Sequence, residues 1–355
     1  MQKILLIDDE ANNGWKEILE KVLFNEEPID IALNVSQASE LLKKNKYDLI
    51  FLDLRFGQED HSENNIEKFG GNIILNENIR KSFNIKNFST PVILFTASNK
   101  VWNVFEMLEN GADSYYIKEH PDTACDLEFS RRNFIRLKEI VPALIILGQR
   151  RQEILTKLIE INNLAKIKII NNNIRNRIEE KLMIAYASLF QKSFSFEKKK
   201  LLFNKEILAF VVFWSILEEI SHDYYDRKDE KNPNWILRNG NIKIQFESDN
   251  GQLETRFESI KLEKNPFEVI NNNNYAAQIP LSNQIAGILR YQLKWDYNLI
   301  YSCFLSKLNK YRNDIDFIHS STNSIRNKSL KANQDSTEAY CKCVQMLDFH
   351  IKLLN

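Results

Sequence analysis

Cysteine is scarce in this chain of 355 residues: Cys125, Cys303, Cys341 and Cys343 are the full set. Their spacing gives neither a disulfide framework nor paired metal ligands. Cys341 and Cys343, two apart on an expected helix, point to different faces. They are read as reduced thiols of a cytoplasmic protein. An excess of charge of one sign is also missing, since 48 Lys and Arg balance 48 Asp and Glu. Whole-chain charge therefore makes no case for a nucleic-acid or membrane partner. Long apolar runs are absent. The longest, Ile207 to Leu217, is about half of what crosses a bilayer, so no membrane partner is expected. The opening MQKILLIDDE turns acidic too soon for a signal peptide. No helix-turn-helix pattern stands out, which argues against DNA binding.

What is present is unevenly distributed. Residues 1–125 hold 13 basic and 21 acidic side chains, whereas the remainder holds 35 and 27. An acidic front and a mildly basic back suggest modules with different jobs. The front alternates short apolar runs with amphipathic stretches. Strands are expected at Ile4–Ile7, Ile29–Leu33, Leu49–Leu52, Val92–Phe95 and Ser114–Ile117. Helices are expected at Gly14–Phe24, Ser36–Asn45 and Lys100–Glu109. Alternating strands and helices predict an α/β fold: a doubly wound five-stranded parallel sheet, covered on both faces. A polar insertion with Gly70-Gly71 is read as a long loop running into a third helix.

In such a sheet, ligands bind beyond the carboxyl ends of the strands. Those ends carry Asp8 and Asp9, Asp53, Thr96 and Lys118. Carboxylates converging on one cleft repel unless a cation joins them. Oxygen donors without His or Cys suit Mg²⁺. A metal beside a carboxylate can accept a phosphoryl group, a transfer that needs positioning and charge neutralisation more than covalent help. Lys118 can pair with one phosphoryl oxygen and Thr96 can donate its hydroxyl to another.

ILLIDDE, DLIFLDLR, PVILFTAS and GADSYYIK, in this order and spacing, resemble the receiver domain of two-component response regulators, over about residues 1–120. The resemblance implies a flavodoxin-like fold and phosphorylation of Asp53 by a sensor histidine kinase or phosphotransfer protein. It also implies Mg²⁺ bound by Asp9 and Asp53, supported by Asp8 and completed by the Arg55 carbonyl. Thr96 and Lys118 would contact the phosphoryl group, and Tyr115 would be the switch aromatic. Two departures stand out. Glu119 and His120 separate Lys118 from Pro121, where the family has Pro directly after the Lys. The loop after Asp53 is also longer than usual.

Three modules are expected: residues 1–122, a helical connector at 123–196 and a mainly α output domain at 197–355. In the connector, Leu127, Phe134 and Val141, with Leu137 and Leu144 between, repeat every seven residues. Pro142 is expected to interrupt that pattern, and the connector is a candidate for dimerisation. A second connector helix is expected from Ile174 to Gln191. The output domain is expected to hold a helix at Lys200–Ser221. A β-hairpin insertion is expected around Ser248-Asp249-Asn250-Gly251, followed by a long helix at Ser282–Lys310 and a last helix at Ser336–Asn355.

Before the last helix stand Arg312, Asn313 and His319. On a helix, Arg312 and His319 would lie about 20° apart on one face. There the His could act as acid or base on RNA, and the Arg could stabilise phosphate charge. This pattern resembles the HEPN superfamily over about residues 197–355. The resemblance implies a metal-independent endoribonuclease site pooled by a homodimer, as in toxins and antiviral effectors of phage defence. A non-enzymatic helical domain that binds a protein partner is the alternative. His222-Asp223 with Glu218 and Glu219 is read as a polar helix end rather than a metal site, and His350 as packing.

Overall fold

Of five short strands, three arise from unbroken apolar runs (Ile4–Ile7, Leu49–Leu52 and Val92–Phe95), not from alternating ones. This computed structural model describes residues 2–56, 65–97, 101–118, 127–190, 205–227, 235–237, 243–244, 281–315 and 336–355. The strands are β1 (Ile4–Ile7), β2 (Asp30–Ala32), β3 (Leu49–Leu52), β4 (Val92–Thr96) and β5 (Ser114–Ile117). All pair in parallel, in the order β2-β1-β3-β4-β5. β1, β3 and β4 are buried along their full length, because a parallel sheet is covered on both faces. Successive side chains alternate between two cores. Leu5, Ile7, Ile50, Leu52 and Leu94 join one; Ile4, Leu6, Leu49, Phe51, Ile93 and Phe95 join the other.

The first core takes α2 (Val35–Lys44), α3 (Gly70–Ile73, prolonged by a wider turn at Ile74–Arg80) and α4 (Val101–Glu109) through Ala38, Leu42, Leu75, Ile79, Val104 and Met107. The second takes α1 (Lys16–Leu23) through Leu19. It also takes the front of α5 (Leu127–Lys168) through Leu137, Val141, Leu144 and Ile145. Phe134, Leu137, Val141 and Leu144 of the seven-residue stripe thus cover the sheet of their own chain. Helix α5 also passes through Pro142 without ending, correcting the expected interruption. The ring removes one helical hydrogen bond, but burial of Val141, Leu144 and Ile145 on either side offsets that loss. The first compact unit accordingly spans Met1–Leu155.

The front of α5 is fixed at both ends of the sheet. Asn133 Nδ2 donates to the Ile117 carbonyl at 3.1 Å. Lower down, Arg151 pairs with Asp113 at 2.8 Å and Ser89 donates to Gln152 at 2.6 Å. Gly148 lies so close to Pro91 that a Cβ would sit 2.6 Å from the proline ring.

The second unit, Thr156–Asn355, is mainly helical. α6 (Asn172–Phe190) and α7 (Lys205–Tyr224) pack together, and α11 (Ser336–Leu354) packs on α7. Its centre is aromatic: Trp214 stacks on Phe304, and Phe304 on Phe349, at centroid distances of 5.8 and 5.0 Å. β6 (Tyr225–Arg227), β7 (Trp235–Leu237) and β8 (Lys243–Ile244) form a small antiparallel sheet. The turn expected at residues 248–251 lies outside the described residues. The expected helix over residues 282–310 is broken. α8 (Leu281–Gly287, continued to Gln292) stops before Lys294, which adopts a φ of +60°. Asp296 then caps a new start by accepting the Leu299 N–H at 2.8 Å. α9 (Tyr297–Ile300) runs on through a wider turn (Tyr301–Asn309) into α10 (Lys310–Asp314). Among the described residues, no helix is long and apolar enough to cross a membrane.

Candidate functional site

The chain runs from β1 outward to β2, then crosses back to β3. Neighbouring connections therefore diverge between β1 and β3, and a crevice opens at their carboxyl ends. Asp8 and Asp9 follow β1 and Asp53 follows β3. Their carboxylate oxygens lie within 4.8 Å of one another. Asp8 is fully buried and Asp53 nearly so, whereas Asp9 is half-buried.

The chain fixes each group before any ligand arrives. The Asp8 N–H donates to Ala32 and the Asp53 N–H to Ile7, which ties both to the ends of neighbouring strands. Asp8 Oδ1 accepts the Glu10 N–H at 2.9 Å, and Asp53 Oδ1 accepts the Arg55 N–H at 3.3 Å. Lys118, at the end of β5, reaches across. Its Nζ donates to Asp8 Oδ2 at 2.8 Å and to Asp53 Oδ2 at 2.5 Å. The Lys118 N–H also donates to the carbonyl of buried Thr96, which closes β4.

Among the described residues, the Lys118 ammonium is hydrogen-bonded to Asp8 and Asp53. Burial pushes the Asp53 carboxyl up; Lys118 pulls it down, Asp8 pushes it up again, and it rests at about 6. Burial works against the charge of Lys118, but Asp53 and Asp8 together overcome this and hold the ammonium above its usual range. The donor set, several oxygens with no His or Cys, fits a small hard cation. Asp8, Asp9 and Asp53 could hold it, and Lys118 and Thr96 border the same crevice.

Tyr115 lies along β5, half-buried. Its ring is covered by the Arg136 guanidinium at 5.1 Å, and its hydroxyl is 3.5 Å from Arg136 Nη1. Arg55 lays its guanidinium over the Phe69 ring at 4.3 Å. One contributor escaped the sequence reading. Gly71 donates its N–H to the Leu54 carbonyl at 3.2 Å and lies against the backbone just after Asp53. The Gly70-Gly71 pair was its only signal, and it reads equally as loop punctuation. Glu119, His120 and Pro121 lie outside the described residues.

The second constellation is only partly described. Arg312 and Asn313 stand on α10, with Arg312 Nη1 donating to Asn313 Oδ1 at 3.1 Å. The Arg312 guanidinium lies 5.9 Å from the Trp214 ring. Burial lowers its pKa while Glu218 raises it. The helix ends at Asp314, and Ile315 is extended at φ −77°, ψ 101°. The helical spacing that would align Arg312 with residue 319 therefore stops four residues short of it. His319 itself lies outside the described residues. Glu219 is paired with Arg177 and Lys181 at 2.8 and 2.7 Å. Asp223 accepts the N–H groups of Ile170 and Asn171. That stretch is a helix-end structure, as expected. His350 is fully buried in α11, also as expected.

No family model matches the chain, and no curated protein matches it. Solved structures similar to it include a response regulator receiver domain protein from Methanospirillum hungatei (19% identity, TM-score 0.29). That match spans 41% of this chain and 96% of the other. A two-component response regulator from Clostridium difficile is 26% identical over 40% of this chain and 97% of its own, with a TM-score of 0.28. The response regulator TrrA from Thermotoga maritima, in complex with Mg²⁺-BeF, is 26% identical over 39% of this chain and 99% of its own, with a TM-score of 0.27.

Proposed function

We propose that residues 1–155 form a phosphoacceptor receiver in which Asp53 accepts a phosphoryl group from a histidine kinase or phosphotransfer protein. The observation that carries this reading is the cluster at the β1/β3 crevice: three carboxylates within 4.8 Å, with Lys118 bonded to two of them. Mg²⁺, held by Asp9 and Asp53 with Asp8 in support and the Arg55 carbonyl completing the set, supplies charge neutralisation when bound. An Asp53 oxygen bonds to phosphorus as the donor's phosphorus–nitrogen bond breaks. Lys118, already bonded to Asp53, exchanges that carboxylate for a phosphoryl oxygen. Thr96 donates its hydroxyl to another, and Tyr115 follows the change. This binding reading is tested by adding beryllofluoride with Mg²⁺ to the full chain. Trp15, whose ring meets Phe95 at 4.9 Å, should report a fluorescence change in wild type and none in Asp53→Ala. A response that survives Asp53→Ala contradicts the reading.

The helical unit is the output. Its enzymatic reading is a HEPN-like, metal-independent endoribonuclease that acts as a homodimer, with Arg312, Asn313 and His319 at the RNA. What favours it is the Arg312–Asn313 pair, mutually bonded with Asn313 exposed. The end of α10 before His319 favours the non-enzymatic alternative, a phosphorylation-controlled surface for a protein partner. Incubation with mixed RNA, with and without beryllofluoride and Mg²⁺, separates them. RNA cleavage that is lost in His319→Ala supports the first; equal outcomes for the two proteins support the second.

A further inference from the structure

The backbone just after Asp53 is held from one side by the entrance of α3. The Gly71 N–H donates to the Leu54 carbonyl at 3.2 Å. A Cβ at Gly71 would lie 2.3 Å from the Asp53 carbonyl oxygen and 2.8 Å from both the Leu54 Cα and its oxygen. All three are backbone atoms, so none can swing aside as a flexible side chain could. Gly71 is not among the glycines with positive φ, which are Gly14 and Gly111. Glycine is therefore required here for distance, not for backbone conformation. Two residues earlier, the Phe69 ring carries the Arg55 guanidinium. The same short segment thus grips Leu54 by its backbone and Arg55 by its side chain.

From this contact we infer that Gly71 is a positioning residue for the cation site and favours Mg²⁺ over Ca²⁺. The inference rests on the receiver reading. Leu54 separates the Asp53 carboxylate from the Arg55 peptide. The Arg55 N–H orients Asp53 Oδ1 at 3.3 Å, and the Arg55 carbonyl is the expected third protein ligand. Relief of a 2.3 Å contact must shift Leu54, and the Arg55 N–H and carbonyl shift with it. Mg²⁺ demands near-octahedral geometry at short distances, whereas Ca²⁺ accepts longer, irregular coordination. A displaced carbonyl therefore penalises Mg²⁺ selectively. General loosening of the domain would penalise both cations alike.

The test titrates Mg²⁺ and Ca²⁺ calorimetrically into the full chain as wild type, Gly71→Ala and Gly148→Ala. Gly148 is the control, a second close-packed glycine whose Cβ would sit 2.6 Å from the Pro91 ring, at the opposite end of the sheet. Gly71→Ala is expected to weaken Mg²⁺ binding about tenfold or more and Ca²⁺ about threefold or less. Gly148→Ala is expected to lower the melting temperature with both affinities kept within about twofold. Equal losses of both cations in Gly71→Ala, or an unchanged Mg²⁺ affinity, would overturn the inference. Should Gly71→Ala fail to fold by circular dichroism, Arg55→Ala decides. It removes the stack on Phe69 without adding an atom, and should still lower Mg²⁺ affinity more than Ca²⁺ affinity; no such difference overturns the inference. A wild-type chain that binds no Mg²⁺ sinks the receiver reading itself, and the inference with it, before any variant is compared.

Discussion

The two ends of the parallel sheet both bury charge, and they balance it in opposite ways. At the carboxyl ends of the strands, Asp8, Asp9 and Asp53 cluster, and the Lys118 ammonium pairs with Asp8 and Asp53. At the amino ends, Asp113 faces two guanidinium groups, Arg80 at 3.1 Å and Arg151 at 2.8 Å. There the surplus positive charge is absorbed within the chain. Arg80 donates to the carbonyls of Gly111, Phe88 and Thr90. Lys46 donates to the hydroxyls of Ser89 and Thr90 at 2.6 and 2.9 Å. Burial and the nearby Arg80 lower Lys46 to about 8, although Asp48 resists this. At the acidic end three carboxylates gather within 4.8 Å, and Lys118 bonds two of them. One end is a clamp for α5 and the other a candidate site, and the difference lies in the sign of the charge that each gathers in excess.

The largest effect should come from breaking the clamp. Asp113→Ala removes the carboxylate that pairs buried Arg151 and half-buried Arg80, and urea unfolding should show a loss of about 3–5 kcal/mol. A loss below about 1 kcal/mol would mean that the arginines are satisfied without it. The acidic end should respond with the opposite sign. With Asp53 raised to about 6, the metal-free folded state holds a proton more tightly than the unfolded state. Its favourable contribution is present at low pH and lost as pH rises through 6. Asp53→Asn should therefore stabilise the metal-free protein at pH 7.5 by on the order of 1 to 3 kcal/mol. The gain should fade below about pH 5, and added Mg²⁺ should reverse the order.

The helical unit offers a third arrangement, buried polar groups left only partly satisfied among the described residues. His350 Nδ1 contacts the Met346 carbonyl at 2.7 Å, and Nε2 is buried with no good hydrogen bond among the described residues. Burial lowers this imidazole to about 4, while the Met346 and Phe213 carbonyls pull the other way. The unfolded chain takes up the proton first, so stability is complete above pH 6.5 and falls as pH drops toward 4. At pH 5 this amounts to about 2 kcal/mol, and thermal melts of His350→Leu should lose that pH dependence. The Tyr311 hydroxyl is likewise buried without a hydrogen-bond partner among the described residues. Tyr311→Phe should be the smallest change, neutral or stabilising by less than about 1 kcal/mol in the same melts.

The sheet was legible because four of its strands are short, largely apolar runs ending at or beside a candidate site residue. Ile4–Ile7 leads to Asp8, Leu49–Leu52 to Asp53, and Ser114–Ile117 to Lys118. Local sequence could not reveal the reach of α5. Pro142 is a helix breaker by propensity, but the sheet beneath Val141 and Leu144 overrides propensity. The seven-residue stripe was read as a pairing surface because periodicity shows that a face is buried, not what buries it. The break at Leu293–Asp296 hides in a sequence with neither Gly nor Pro, where Lys294 takes the left-handed conformation. Gly71 matters through contact with a strand end some 17 positions earlier, a relation visible only once the chain is folded.

The most direct test of the account is covalent. The full chain is incubated with Mg²⁺ and a small-molecule phosphodonor. Intact mass and peptide mapping then follow one phosphoryl group in wild type, Asp53→Asn and Asp9→Asn. The account predicts a single hydroxylamine-labile phosphoryl group on Asp53 in wild type. It predicts none in Asp53→Asn and much slower incorporation in Asp9→Asn or when EDTA replaces Mg²⁺. Absence of incorporation in wild type under Mg²⁺, or a phosphoryl group placed on any residue other than Asp53, would contradict it.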